Sequence, residues 1–384
     1  MNLVITSDNI ISPLGKTTAE NISAIRQGKS GIKYHEDLSI SQYGFFGSNL
    51  PKDYTYICDG GVQNFTKFEN LIIESVSAAL KNTKVDISDP RTLLIICSTK
   101  GNINLLENEP MSRELKNRIS LSASAQKISD YLGYINKPVV VSNACISGLT
   151  GLLFAKRMLQ SGKFDNAIVT GFDLITRFVF SGFDSFKALS NSRCKPFDKS
   201  RNGINLGEAA ATLILTNKVS GVGNDIALSG GALSNDSNHI SGPSRTGEEL
   251  SWAIDKALEK ASITGKSLGF ISAHGTATVF NDQMEAKAFS LSGLLEVPVV
   301  GLKSYFGHTL GAAGLVESIV CIHSMKKNLI FPTLGYKEKG VPEKINVTDS
   351  IHETPISHCL KTGSGFGGCN AALVFSKLDS IQNC

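Results

Sequence analysis

The feature that most constrains this chain is a weak internal duplication. PVVVSNACISGLTGLLFAKRML begins at Pro138 and PVVGLKSYFGHTLGAAGLVESIV begins at Pro298, 160 residues later. Both run from a Pro-led valine strand through a turn into a helix rich in Gly and Ala. A second pair, GEAAATLILTNK from Gly207 and GCNAALVFSK from Gly368, is offset by 161 residues. Each member is a small-residue turn entering an apolar strand that ends at Lys. Two matches at nearly one spacing predict two copies of a βαβ-rich unit. The segment Gly221-Val222-Gly223-Asn224-Asp225 is the candidate seam, giving halves 1–220 and 221–384.

The duplicated helices say where they must lie. No residue is charged from Ile146 to Phe154 (ISGLTGLLF), nor from Thr309 to Val316 (TLGAAGLV). A helix apolar all round is buried on all sides. Gly148, Gly151, Gly311 and Gly314 each weaken a helix by about 1 kcal/mol relative to Ala, so close packing must compensate. Around them, short apolar runs (3–6, 93–97, 139–141, 167–171 and 212–215) alternate with helical stretches such as 65–80 and 146–160. That alternation predicts an α/β fold with two central helices between two sheets.

Composition excludes several functions. At 41% hydrophobic and 19% charged the chain has no disordered character. A net charge of +4 is too weak for a nucleic-acid surface. Its eight cysteines include no C-x-x-C pair, so neither a zinc ribbon nor a dithiol motif is suggested. Cys97, Cys321 and Cys369 sit in or beside apolar runs, as small hydrophobes do. No run of 18 apolar residues predicts a membrane span, and MNLVITSDNIISPLG has no basic leader. A cytoplasmic, reduced location is expected.

Three residues stand out chemically. Cys145 follows the strand VVVSN and opens a buried helix, where free N–H groups and the helix dipole favour a thiolate. His274 and His308 sit in small-residue turns after apolar strands, the usual place for α/β sites. Lys303 shares the second histidine's connection, and Glu285 follows His274 by eleven residues. Asp282 reads equally as a helix cap. His35, His239, His323 and His352 read as surface or structural, and His358 is close to the Gly-rich loop. GSGFGG at 363–368 opens a strand rather than a helix, which disfavours a phosphate cradle and suggests a backbone approach to a thioester or a mobile gate.

These motifs together resemble the elongating β-ketoacyl–acyl carrier protein synthases of the thiolase superfamily. ACISG around Cys145 is similar to the family's nucleophile turn, and KPFDKSRNGINLGEAAA (195–211) to its Pro-Phe-Asp block. HGTATVFNDQMEA, LKSYFGHTLGAAG and GFGGCNAALV resemble its first-histidine, lysine–second-histidine and Gly-Phe-Gly-Gly motifs, in order. A histidine at 308 matches the Cys-His-His branch, where initiating synthases carry asparagine. The resemblance implies a five-layer αβαβα fold, with the nucleophile in the N-terminal half and both histidines in the C-terminal half. It implies decarboxylative condensation of a Cys145-bound acyl group with malonyl-acyl carrier protein, in fatty acid or related polyene or polyketide synthesis. His274 and His308 would hold the developing enolate, while Lys303 and Glu285 would form a supporting ion pair. The Phe366 backbone would share the oxyanion with that of Cys145, and its ring would gate access. Thr276 and Thr278 would bind the phosphopantetheine arm that the carrier protein brings, with no metal or separate cofactor. FVFSGFDSFKALS (178–190) resembles the segment lining the acyl pocket and the dimer interface.

Several positions depart from the pattern. TSDN (6–9) and CSTKGN (97–102) replace Gly-rich stretches, Val279 replaces a proline, and Cys369 replaces a threonine. Two other readings follow from the same residues. One is a subunit active only as a heterodimer, or a chain-length-factor-like partner, although those usually lack the cysteine. The other is a thiolase-type coenzyme A enzyme using Cys369 as base.

Overall fold

The computed structural model describes residues 3–51, 53–56, 65–218 and 225–378. Residues 221–224 of the candidate seam lie outside them. The first half contributes strands β1 (Val4–Ile11), β2 (Thr92–Cys97), β3 (Val139–Val141), β4 (Asn166–Gly171) and β5 (Ala210–Thr216). The second contributes β6 (Ile226–Asn235), β7 (Leu268–Ala273), β8 (Pro298–Gly301), β9 (His358–Gly365) and β10 (Cys369–Lys377). The first five lie in the order β3-β2-β4-β5-β1, the second five in the order β8-β7-β9-β10-β6. These are the same order. In each half the first three strands named are mutually parallel and the last two antiparallel. Both sequence repeats fall on equivalent strands, β3 with β8 and β5 with β10. The two expected sheets meet edge to edge at Val4 and Ala227, and with a short edge strand (Asn346–Val347) on β8 they form one eleven-stranded sheet.

Six helices complete the frame used below: α1 (Lys67–Leu80), α2 (Ser147–Gln160), α3 (Arg177–Ser185), α4 (Glu248–Ala261), α5 (Val279–Leu291) and α6 (Ala313–Lys327). Strand β2 shows why the layers form. Its sequence TLLIIC is buried throughout, as a strand covered on both faces must be. Leu93, Ile95 and Cys97 join a central core with Leu149, Leu315 and Ile319. Leu94 and Ile96 face the other way, onto Phe68, Leu71 and Ile72 of α1. On the far side, Leu250 and Ile254 of α4 and Phe289 of α5 cover Ile271, Leu360 and Val374. Helices α2 and α6 fill the middle layer, so the five-layer αβαβα expectation holds.

The central glycines are reciprocal holes. A Cβ on Gly148 would stand 2.8 Å from Leu315 Cγ, and one on Gly314 would stand 2.5 Å from Leu149 Cγ and 3.0 Å from the Leu149 nitrogen. Each helix thus receives the other's leucine. A Gly314→Ala change gains about 1 kcal/mol of helix propensity but overpacks a seam, which costs about 1–3 kcal/mol. We expect a net loss, read as a lower urea midpoint; an unchanged or higher midpoint would contradict this packing.

Candidate active site

The strand-to-helix turns of both halves converge beside the middle layer. A ring nitrogen of each of His274 and His308 and the Cys145 sulfur all lie within 4.8 Å of one another. Cys145 comes from the β3–α2 turn, His274 from the end of β7, and His308 from the connection between β8 and α6. The imidazoles meet edge to face with centroids 5.3 Å apart. Backbone strain marks all three turns: Ala144, Ala277 and Leu310 have φ of +44°, +60° and +50°. Such left-handed non-glycine residues typically cost about 1–3 kcal/mol each and persist where surrounding packing dictates them.

Buried charges brace the histidines. Lys303 Nζ donates to the His274 carbonyl (2.6 Å), approaches His274 Nδ1 (3.2 Å) and pairs with Glu317 Oε1 (2.7 Å). Lys361 Nζ pairs with the other Glu317 oxygen at 2.7 Å and donates to the Ala273 carbonyl. The expected Lys303–Glu285 ion pair is therefore wrong. Glu285 instead accepts the His274 and Gly275 N–H groups, both at 2.7 Å, and holds the turn itself. Distance along the chain does not reveal which carboxylate meets a lysine across the core. Glu317 and Lys361 were missed. Their signal was available, a lone acid in the apolar helix AGLVESIV and a lone base in the strand HCLKTG.

Removing the Glu317 charge takes away the carboxylate that pairs directly with both buried ammoniums. Breaking one side of a buried ion pair typically costs about 3–5 kcal/mol. Glu317→Gln should lose stability on that scale in chemical denaturation. A wild-type midpoint would show that the two lysines do not depend on it.

The electrostatics keep both imidazoles neutral. Burial, and after it the charge of Lys303, hold His274 and His308 well below the usual histidine range. With an ammonium at Nδ1, the neutral His274 carries its proton on Nε2. Cysteine with two histidines is also a soft-metal donor set. His308 Nδ1 finds no hydrogen-bond partner among the described residues.

Cys145 departs from the expected resting thiolate. Burial pushes its thiol up to about 11, against the lowering pull of Lys303 and of a hydrogen bond from the Phe366 N–H. Desolvation outweighs both. Alkylation by iodoacetamide, followed on the Cys145 peptide by mass spectrometry, should therefore accelerate about tenfold per pH unit between about pH 7 and 10. A plateau near neutrality would contradict the dry setting.

The Gly-rich loop approaches as expected. A Cβ on Gly365 would stand 3.1 Å from the Cys145 nitrogen. Cys369 lies beside it, its thiol 3.5 Å from the Phe366 carbonyl and 3.9 Å from the Asn143 carbonyl, and is pushed up to about 12 chiefly by burial. That placement is poor for a general base. The Phe366 ring packs on Phe183 and Phe186, each at 5.5 Å. It lines both a pocket of about 490 Å³ containing Cys145, His274 and His308 and an apolar cleft of about 690 Å³ beside α3.

Thr276 and Thr278 line the first pocket, their hydroxyls 2.8 Å apart. His239 stands at its rim, exposed as expected, its Nδ1 accepting the Ser241 and Gly242 N–H groups. Asp282 is no helix cap, because α5 begins at Val279; it is fully buried and accepts the Phe197 N–H at 2.7 Å. His358 is buried in β9 against Ser376, and His323 pairs with Asp8.

Comparison with known proteins places the chain in one family. Residues 2–220 match the family model "Beta-ketoacyl synthase, N-terminal domain", and residues 226–337 match the corresponding C-terminal domain. A 3-oxoacyl-[acyl-carrier-protein] synthase 2 of Vibrio harveyi is 28% identical over 98% of both chains. The tetracenomycin polyketide synthase ketoacyl synthase alpha subunit of Streptomyces glaucescens is 32% identical over 62% of this chain and 59% of that one. The structure of the ishigamide ketosynthase/chain length factor superposes with a TM-score of 0.87 at 26% identity, covering 98% of this chain and 99% of that one.

Proposed function

The chain belongs to the β-ketoacyl synthase family, and on that footing we propose that Cys145 takes an acyl group from acyl carrier protein and that the enzyme condenses it with malonyl-acyl carrier protein to give a 3-oxoacyl-acyl carrier protein. The observation that carries this reading is the convergence of one sulfur and two neutral imidazoles within 4.8 Å. In the first step a Cys145 sulfur–carbon bond forms, the thioester bond to phosphopantetheine breaks, and the thiol proton ends on the leaving sulfur. The Phe366 N–H already points at the Cys145 sulfur, a position suited to meet the oxyanion.

In the second step the malonyl carbon–carboxylate bond breaks and carbon dioxide leaves. The electron pair remains as an enolate, whose oxygen accepts hydrogen bonds from His274 and His308. Neutral donors suit this task, since they stabilise charge only as it develops. The enolate carbon attacks the acyl carbonyl and expels the Cys145 thiolate, which takes a proton. Thr276 and Thr278, on the pocket wall, would hold the phosphopantetheine arm, and no metal or separate cofactor is needed. The orientation of Cys369 disfavours the thiolase-type alternative.

Leu106, Phe178 and Phe186 expose apolar surface at the cleft, which supports a dimer, with itself or with a related subunit. The six cysteines described are all free, in keeping with a reducing cytoplasm, and no described helix is long and apolar enough to cross a membrane. Incubation with acyl- and malonyl-acyl carrier protein tests the reading: one carbon dioxide should appear per 3-oxoacyl product. Acyl transfer without product in the isolated chain, restored by a related subunit, would favour the heterodimer.

A further inference from the structure

Three rings stand between the pocket that holds Cys145 and the apolar cleft beside α3. Among the described residues the two cavities share three lining residues, Phe183, Phe186 and Phe366. The rings form a row that runs outward from the site. Phe183 meets His308 edge to face at 6.2 Å, and Phe366 leans on Phe183 at 5.5 Å with 30° between the planes. Phe186 meets Phe366 edge to face at 5.5 Å. It forms the outer end of the row, 55% exposed against 38% for Phe366.

The surroundings single out Phe366 as the ring that turns. Its backbone is pinned on both sides: Gly365 abuts the Cys145 nitrogen with no room for a Cβ, and the Gly367 N–H donates to the Ile240 carbonyl at 2.7 Å. The outer two rings are fixed to α3. Phe183 lies within the helix and Phe186 follows its last residue, where the Lys187 and Ala188 N–H groups close a turn on the Asp184 and Phe183 carbonyls at 2.8 and 3.2 Å. The opposite wall of the cleft is also preformed. There the buried Asp173 carboxylate accepts the Thr99 and Lys100 N–H groups, both at 3.0 Å, and the Gly311 N–H at 2.8 Å.

An acyl group on Cys145 meets this row as it lengthens. The phosphopantetheine arm takes the mouth of the pocket, past Thr276 and Thr278. A chain too long for the pocket therefore extends by turning Phe366 aside and entering the cleft along Ile103, Val179 and Leu310. That turn breaks the ring contact with Phe186, and one aromatic pair slows such a step by about two- to tenfold.

Resting on the reading of Cys145 as the acyl acceptor, we propose that Phe186 is a specificity-determining residue, a latch that holds Phe366 across the entrance to the cleft and disfavours long acyl chains. Loading of Cys145 from acetyl and octanoyl pantetheine thioesters, read as kcat/KM by intact mass, tests it. Phe186→Ala should raise the octanoyl-to-acetyl ratio by about two- to tenfold, whereas Phe186→Tyr, which keeps the ring, should hold the wild-type ratio. Phe186→Leu keeps apolar bulk without the ring and should move the ratio the same way as alanine, so it serves if the alanine variant does not fold. Melting curves and size-exclusion elution check that the variants fold and assemble as wild type does. An unchanged ratio in the folded variants lacking the ring would overturn the proposal. So would a lower one, which would make Phe186 a wall that the chain leans on. Failure of wild type to load either thioester would instead overturn the acyl-acceptor reading beneath it.

Discussion

A Cys145→Ser variant incubated with acyl-acyl carrier protein will carry no acyl adduct by intact mass, and its condensation rate will fall by roughly 10⁴-fold or more. None of the other described cysteines can substitute. Cys369 directs its thiol at the Phe366 carbonyl, and Cys97, Cys194, Cys321 and Cys359 are fully or almost fully buried. The size of the effect follows from the chemistry: a hydroxyl is a weak nucleophile unless a paired base activates it. An adduct persisting on the serine variant at the wild-type rate would move the nucleophile elsewhere.

Removing an imidazole should separate the two half-reactions. His308→Ala, and likewise His274→Ala, should slow malonyl decarboxylation by about 10²–10³-fold, the usual loss for one oxyanion donor. Acyl transfer to Cys145 should survive in both. Because both rings are held well below the usual histidine range, they stay neutral as pH falls through about 6.5. The wild-type decarboxylation rate should therefore show no histidine-like inflection between about pH 6 and 7. Decarboxylation at the wild-type rate in His308→Ala would remove that residue from the chemistry.

Much of this arrangement was legible in the residues before any coordinates. Equal spacing between two Pro-led strands foretold two equivalent sheets, because a repeated pattern of apolar runs must bury itself in a repeated way. Two uncharged, glycine-rich helices could only be the middle layer. Cys145, His274 and His308 were legible because each closes a strand with small residues, which leaves a polar side chain at the strand's open end.

The supporting charges were not legible, and for a definite reason. Lys303 reaches across the core to Glu317, whereas Glu285 spends its oxygens on backbone N–H groups. Pairing of buried charges is decided by packing between elements, which periodicity does not encode. Asp173 escaped for the same reason, since it holds two loops distant in sequence. The state of the Cys145 thiol depends on how much water the closed site excludes, a property of the assembled layers rather than of the helix start.

The interlocked Gly148–Leu315 and Gly314–Leu149 contacts lie between a half that owns the sulfur and a half that owns both imidazoles. Neither half is chemically complete, and the register between them is set by two leucines far too inert to react. Loosening that joint should blunt turnover at temperatures where the protein is still fully folded, so the fit of hydrocarbon sets the alignment of the reaction.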